Sequence, residues 1–399
     1  MKARRGLAGL LAGLLLTGCQ EKLGTPTDCP ELCPGTSLTI RDTVLIAKVG
    51  LDSTFTGYQR ADQVGALLVS SGLAAGEARS FAVFPARSDT VFVDATPQSY
   101  TVDSVAFVFQ LIARDTAVHN LRLVLHRVAV TVDTSTSFAD LDAQLTPASL
   151  IDSVLVSDTL KSGAINIIVK GAALSRLVPF DGDSGKLAIG IRVSAPAATG
   201  VRLGAVGSSV SPPLFTTYAK ANVADTAKQR SVITLNANLS NYAIDQPPIA
   251  DPRDLFLGGR SGSRTLLRFE LPKLLKDSAA VVRATLELTP RGPIKGLPND
   301  PGELQVRGVL VDLGAKSLAI STVSAVAALA AGATAVQSID LRDVVTTWLG
   351  PNGTPASVLL GLAPEGGTFA RPEFFSTESG AFAPRLRITY ALPTHPGHP

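Results

Sequence analysis

A chain of 399 residues, 45% hydrophobic and 17% charged, is long enough for more than one hydrophobic core. Its 36 Lys+Arg face 33 Asp+Glu, so no basic surplus points to nucleic acid or to an anionic lipid surface. Three cysteines, four histidines and one tryptophan limit the chemistry available to it.

The amino terminus combines a basic start (Lys2, Arg4, Arg5), a short apolar run over residues 6–16, and Leu16-Thr17-Gly18-Cys19. The run is too short to cross a bilayer and has the form of a secretory signal. Small residues before the cysteine suit an extended fit in a peptidase cleft, and the thiol would carry the lipid. The segment resembles the lipobox of bacterial lipoproteins. That resemblance implies loss of residues 1–18, diacylation of Cys19 and acylation of its new amino group. Gln20, in place of aspartate, implies transfer to the outer membrane of the bacterial cell envelope, with the membrane a partner through the lipid. Cleavage would remove three bases, and 36 − 3 leaves 33 against 33 acids, a balanced mature chain. Cys29 and Cys33, in TDCPELCPG, are expected to form a local disulfide within a tether over residues 19–37. A metal site would need further ligands, and no histidine precedes His119.

Beyond the tether, SVAFVFQL (104–111), LRLVLHRVAVTV (121–132), RATLELTP (283–290) and ELQVRGVLVDL (303–313) alternate and are β-branched, which predicts strands. Long amphipathic helices are hard to find, and the expected class is all-β, two tandem jelly-roll or β-sandwich domains. The Ala-rich stretch 321–336 contributes too little apolar area for a membrane span and predicts a short helix or buried connection.

The chain also repeats itself. Residues 165–177 match 337–349, Gly190 of KLAIGIRV meets Gly361 of SVLLGLAP, and Pro212, Leu214, Thr217 and Tyr218 meet Pro384, Leu386, Thr389 and Tyr390. More loosely, Arg79 and Phe84 meet Arg264 and Phe269. This order predicts a first sandwich over 38–221, a linker or connecting strand over 222–239, a second sandwich over 240–391 and a disordered tail over 392–399.

LFLGGRSGSRTLLRFELP, AVVRATLELTP, SIDLRDVVTTWL, SVLLGLAP, FFSTESG and APRLRITY together resemble the DNRLRE domain family. The first copy shows the pattern only in degenerate form. The resemblance implies jelly-roll sandwiches in exported, polysaccharide-associated proteins, some of them carbohydrate-binding modules. The 321–336 stretch departs from the aromatic-rich segment of many members.

Catalytic signatures are scarce. His119 and His126 flank or enter a strand, His395 and His398 lie in the tail, and neither Gly-x-Ser-x-Gly nor His-Glu-x-x-His occurs. Acidic turns at Asp181 and Asp183, and at Asn299, Asp300 and Glu303, lack a full calcium-loop pattern and predict turns, with a structural calcium at Asp181 and Asp183 as the alternative. Trp348 falls at helical spacing with Leu341, Val344 and Val345, which predicts core packing over sugar stacking. Arg260, Arg264 and Arg268 are the candidate ligand contacts, through charge-assisted hydrogen bonds to acidic sugars. FFSTESGAFAPRLRITY, for all its Ser, Glu and Arg, predicts a turn and closing strand. These residues favour a lipid-anchored, non-enzymatic binding or adhesion protein with polysaccharide as ligand. An assembly lipoprotein that contacts envelope proteins through strand edges is the second reading, and a polysaccharide-cleaving enzyme the third.

Overall fold

Period-two burial runs through the chain: in GAINIIVK (163–170), Ile165, Ile167 and Val169 are buried while their neighbours are exposed. The computed structural model describes residues 39–48, 52–60, 63–177 and 183–392. In chain order come β1 (Thr39–Ile46), β2 (Ser53–Thr56), β3 (Leu67–Ser71), β4 (Glu77–Phe84), β5 (Val91–Val93), β6 (Thr96–Gln98), β7 (Tyr100–Arg114) and β8 (Arg122–Val128). Helix α1 (Phe138–Asp142) precedes β9 (Leu150–Leu155), β10 (Gly163–Lys170), β11 (Leu187–Ser194), β12 (Thr199–Leu203), β13 (Leu214–Ala221), β14 (Arg230–Asn236) and β15 (Leu239–Asp245). Then follow β16 (Leu255–Phe256), β17 (Ser263–Arg268), α2 (Lys273–Ser278), β18 (Ala280–Leu288), β19 (Gly302–Val311) and β20 (Leu318–Leu329). The last elements are β21 (Gln337–Asp340), α3 (Arg342–Thr346), β22 (Ser357–Ala363), β23 (Glu373–Phe374) and β24 (Arg385–Leu392).

The fold is all-β. In the first half, a sheet ordered β15-β4-β11-β8-β9 faces one ordered β14-β13-β7-β12-β3, with β10 also on β7. Phe84, Phe107 and Phe215 meet between these sheets, with ring centroids 5.1 to 6.0 Å apart. In the second half the sheets run β2-β17-β22-β19-β20 and β1-β24-β18-β21, with the small pair β16-β23. The central pairs are antiparallel throughout.

The two halves have one topology. Strands β4, β11, β8 and β9 hold the places of β17, β22, β19 and β20, and β13, β7 and β10 those of β24, β18 and β21. The edge strands, however, are exchanged. By chain order β1 and β2 open the first copy, yet they border the second half's sheets, while β14 in the linker and β15 at the start of the second copy border the first's. The boundaries drawn from the repeat, 221/222 and 239/240, therefore differ from sheet membership: residues 39–56 are built into the second half and residues 230–245 into the first. Residues Ile40–Ala391 form one compact unit accordingly. Leu297 and Phe369, from the second copy, sit in the first half's core. A Cβ on Gly367 would stand 2.8 Å from Gly65 Cα, a backbone approach only glycine permits.

The Ala-rich stretch departs from expectation. Leu318–Leu329 is β20, an edge strand laddered to β19, followed by a turn. Backbone pairing to β19 outweighs alanine's helical preference, helped by Ile320, Val323 and Val326. Around α3, Leu341, Val344, Val345 and Trp348 are all buried, and Trp348 stacks on Phe269 at 6.1 Å. Within the closing strand β24, Leu386, Ile388 and Tyr390 face inward.

Candidate functional site

The matched glycines Gly190 and Gly361 occupy the same place in equivalent sheets, and their surroundings differ. Gly190 is level with Phe81 and His126. Gly361 is level with Gln305, and one step along the β17–β22 ladder it meets Arg264. Phe81 thus stands where Arg264 stands, and Val128 where Arg307 stands. The sequence match of Arg79 to Arg264 slips by two residues, a shift that keeps every side chain on its face and so leaves the alternation unchanged.

In the first half this outer face is closed. The long connection from β8 to β9 folds back over it through α1, capped by Ser137, whose side chain accepts from Asp140 N. Leu141 and Leu145 from this connection bury Phe81, Val83, Val128 and Ala188. His126 lies beneath it, 4% exposed, with Nδ1 3.0 Å from the Thr146 carbonyl and 3.1 Å from Ser149 Oγ. A carbonyl partner makes Nδ1 the donor, leaving Nε2 unprotonated and buried without a partner among the described residues. Ser149 Oγ donates to backbone carbonyls, and no acid orients the ring, so the pair lacks the geometry of a nucleophilic dyad. Burial lowers the His126 pKa from 6.5, outweighing the Thr146 hydrogen bond that raises it. The folded state therefore prefers the neutral ring. Stability is expected to be full above pH 6.5 and to fall as the pH drops from 6.5 through the lowered value, with His126→Gln flattening that slope in thermal melts.

In the second half no helix lies over the same face among the described residues; Phe55 and Tyr58 cover part of it and leave a groove beside them. The connection from β19 to β20 is a tight turn over 312–317, too short to reach across the sheet. Leu266, Val309 and Leu359 form a small apolar floor, flanked by Phe55. Beside it lies a groove of about 310 Å³ lined by Gln59, Arg264, Gln305, Arg307, Gly361 and Glu365. Arg264 forms a two-pronged ion pair with Glu365, through Nε to Oε1 and through Nη2 to Oε2 at 2.7 Å. This hydrogen-bonded pair raises the Arg264 pKa further. The Tyr58 ring lies 4.3 Å from Arg264 Cζ, held by its hydroxyl donating to the Ala315 carbonyl at 2.6 Å. Arg307 Nη2 donates to Gln305 Oε1 at 2.5 Å, and no carboxylate among the described residues pairs with it. The groove thus offers amide, guanidinium and carboxylate groups held in place by one another, which is what recognition of a hydroxyl-rich ligand requires.

Of the three candidate arginines, only Arg264 lines the groove. Arg268 is committed to Asp312 at 2.6 and 2.8 Å, fixing the start of the β19–β20 turn. Arg260 donates to the Thr134 carbonyl. Gln59, Gln305, Arg307 and Glu365 escaped sequence reasoning, because scattered polar residues on three segments carry no motif. Asp183 pairs with buried Arg127 at 2.6 Å, while Asp181 lies outside the described residues. Among the described residues no three His, Cys, Asp or Glu side chains converge as a metal site. Asn299 and Asp300 form a turn that bonds the first half, Asp300 accepting from Arg202 at 2.7 Å and Asn299 donating to Thr116. His119 lies 3.1 Å from Asp158 at the surface. Cys19, Cys29, Cys33, His395 and His398 lie outside the described residues. Among the described residues no helix is long and apolar enough to cross a membrane.

No family model matches the chain, and no curated protein matches it. Among solved structures, that of the Macrobrachium rosenbergii nodavirus aligns over 93% of this chain and 96% of that one, at 8% identity and a TM-score of 0.15. A similarity that slight carries no argument about fold or function.

Proposed function

We propose that this chain is a non-catalytic binding protein of the bacterial cell envelope, attached by lipid at Cys19, which holds a polysaccharide in the open groove of its second half. The observation that carries the reading is the contrast between equivalent faces: one closed by the α1 connection and apolar, the other left with a groove lined by Arg264, Gln305, Arg307 and Glu365. Mutually bonded polar side chains beside a glycine floor suit a ligand rich in hydroxyls. Resemblance of the second copy's motifs to the DNRLRE family supports the same ligand class, and the lipobox supports the anchor, with Cys29 and Cys33 bridged in the tether.

The test uses the mature chain on arrays of envelope, plant and algal polysaccharides. Saturable binding without product formation is expected, weakened at least about tenfold by Gln305→Ala with Arg307→Ala, since hydrogen bonds to a charged group are each worth roughly 1.5–3 kcal/mol. Binding that survives the double change would remove the groove from the account. In cells, Cys19→Ser is expected to move the protein out of the membrane fraction.

A second reading, docking of other envelope proteins by strand addition, is favoured by β20. This edge strand carries no charged residue, and its Val326 is 58% exposed. Co-purified envelope proteins alongside failed glycan binding would select it.

A further inference from the structure

A second recess, of about 440 Å³, lies where the ends of the exchanged strands β2 and β15 meet the turn between β16 and β17. Its wall takes Thr56 from the end of β2 and Gln59 from beyond it, Ile244 and Gln246 from the end of β15, and Phe256 and Arg260 from β16 and the turn that follows it. Sites at such junctions are common because no single sheet has to supply all the contacts.

Arg260 has a problem that the protein does not solve alone. Its Nη2 donates to the Thr134 carbonyl at 2.5 Å, and among the described residues its Nε has no acceptor and no carboxylate pairs with it. Asp133 acts on it only at a distance and spends its carboxylate on Ser135. Burial pushes the Arg260 pKa down, the mark of a desolvated cation. Close by, Arg371 is 4% exposed and stands 5.1 Å over the ring of Phe256, the same ring that walls the recess. Its Nε and Nη1 also have no acceptors among the described residues, while neighbouring Glu373 is tied to Lys295 at 3.0 Å. Arg260 is the guanidinium that lines the recess, with Arg371 behind the Phe256 ring, and a desolvated charge is costly until an opposite charge meets it.

We propose that this recess binds a small organic carboxylate, its anionic end on Arg260 and its body between the apolar wall of Phe256 and Ile244 and the amides of Gln59 and Gln246. A planar guanidinium matches a carboxylate edge to edge. The apolar wall selects an organic anion over a bare inorganic one, and no lysine joins Arg260 among the described residues of the lining. The site is separate from the polysaccharide groove, sharing only Gln59 with it, and does not rest on that reading.

Calorimetric titration of the full mature chain with benzoate, succinate and inorganic phosphate tests it. Saturable binding of benzoate or succinate is expected, weakened at least about tenfold in Arg260→Gln, partly restored in Arg260→Lys and unchanged in Arg264→Gln. Gln246→Leu, which leaves Arg260 in place, supplies an independent readout if Arg260→Gln fails to fold, with affinity expected to fall severalfold. Phosphate binding alone, no saturable binding of either carboxylate, or affinities indifferent to both Arg260 and Gln246 would overturn the proposal. Glycan binding by the same variants reports on the groove separately, so either reading can fail without the other.

Discussion

Deleting residues 39–56 is expected to unfold the second half, far from the first copy to which those residues belong in sequence. β1 and β2 close the edges of both second-half sheets. With them go the ladder of β2 on β17, the Thr54–Thr265 hydroxyl bond at 3.0 Å, and the Asp52 carboxylate that accepts from Thr377 N and Oγ1 at 3.0 and 2.8 Å. Asp42 accepts from Thr389 at 2.6 Å, and buried Ala47 donates to the Pro384 carbonyl. At roughly 0.5–1.5 kcal/mol net per bond, the loss is on the order of 5 kcal/mol, comparable with the whole stability of a typical domain. Removing 222–245 is expected to be at least as severe, because β15 places Tyr242, Ala243, Ser240 and Asn241 in the first half's interior. The intact chain should melt in one transition by circular dichroism and calorimetry. Thr54→Cys with Thr265→Cys, in a background without Cys29 and Cys33, tests the exchange directly: a disulfide should form, since the two residues are facing partners across the ladder. Failure of that bridge, together with an unchanged melt after deletion, would show each edge strand staying with its own copy.

Reciprocal exchange explains why some of this molecule could be read from its sequence and some could not. Alternation in SVAFVFQL and RATLELTP identified β7 and β18 because burial on one face imposes a local period. The match of 165–177 to 337–349 corresponds to strands in equivalent sheet positions, and β13 and β24 are equivalent too. The match of Leu214 and Tyr218 to Leu386 and Tyr390, however, is one residue out of register: Phe215, level with Phe107, holds the place of Leu386, level with Leu286, and Tyr218 is 43% exposed where Tyr390 is buried. Which sheet an edge strand joins is a non-local choice between two near-identical acceptors, and STFT carries no mark of the partner. The two-residue slip of Arg79 against Arg264 was invisible for a related reason, since strand periodicity repeats every two residues. Arg260, Arg264 and Arg268 share a sequence spacing but not a fate, because the acceptors that separate them, Thr134, Glu365 and Asp312, come from distant segments. The groove itself exists because the β8–β9 connection is long and the β19–β20 connection short, a difference that becomes meaningful only when both sheets are known.

That difference makes two glycines, matched in sequence, respond in opposite ways. A Cβ at Gly190 would overlap Leu145 Cδ2 and stand 2.9 Å from Val128 Cγ1, both packed in a closed cluster. Gly190→Ala is expected to cost about 1–3 kcal/mol, as overpacking does, with α1 and its flanking connection lifted from the sheet. A Cβ at Gly361 would meet Glu365 Oε1 at 3.5 Å and Arg264 Cγ at 3.6 Å, which is ordinary contact, and Gly361 has no left-handed backbone to protect. Gly361→Ala should therefore change stability by no more than about 0.5 kcal/mol. A larger side chain has the groove to enter, so Gly361→Trp is expected to keep the melting temperature while abolishing glycan binding. Urea titrations of the three variants, with the glycan assay on the Gly361 pair, check the contrast. Equal destabilisation by both alanines would mean that the second-half face is covered in solution, and binding retained in Gly361→Trp would move the ligand off the groove floor. The lost side chain at this position then has two explanations: in the first half it admits Leu145, and in the second it leaves room for what the protein binds.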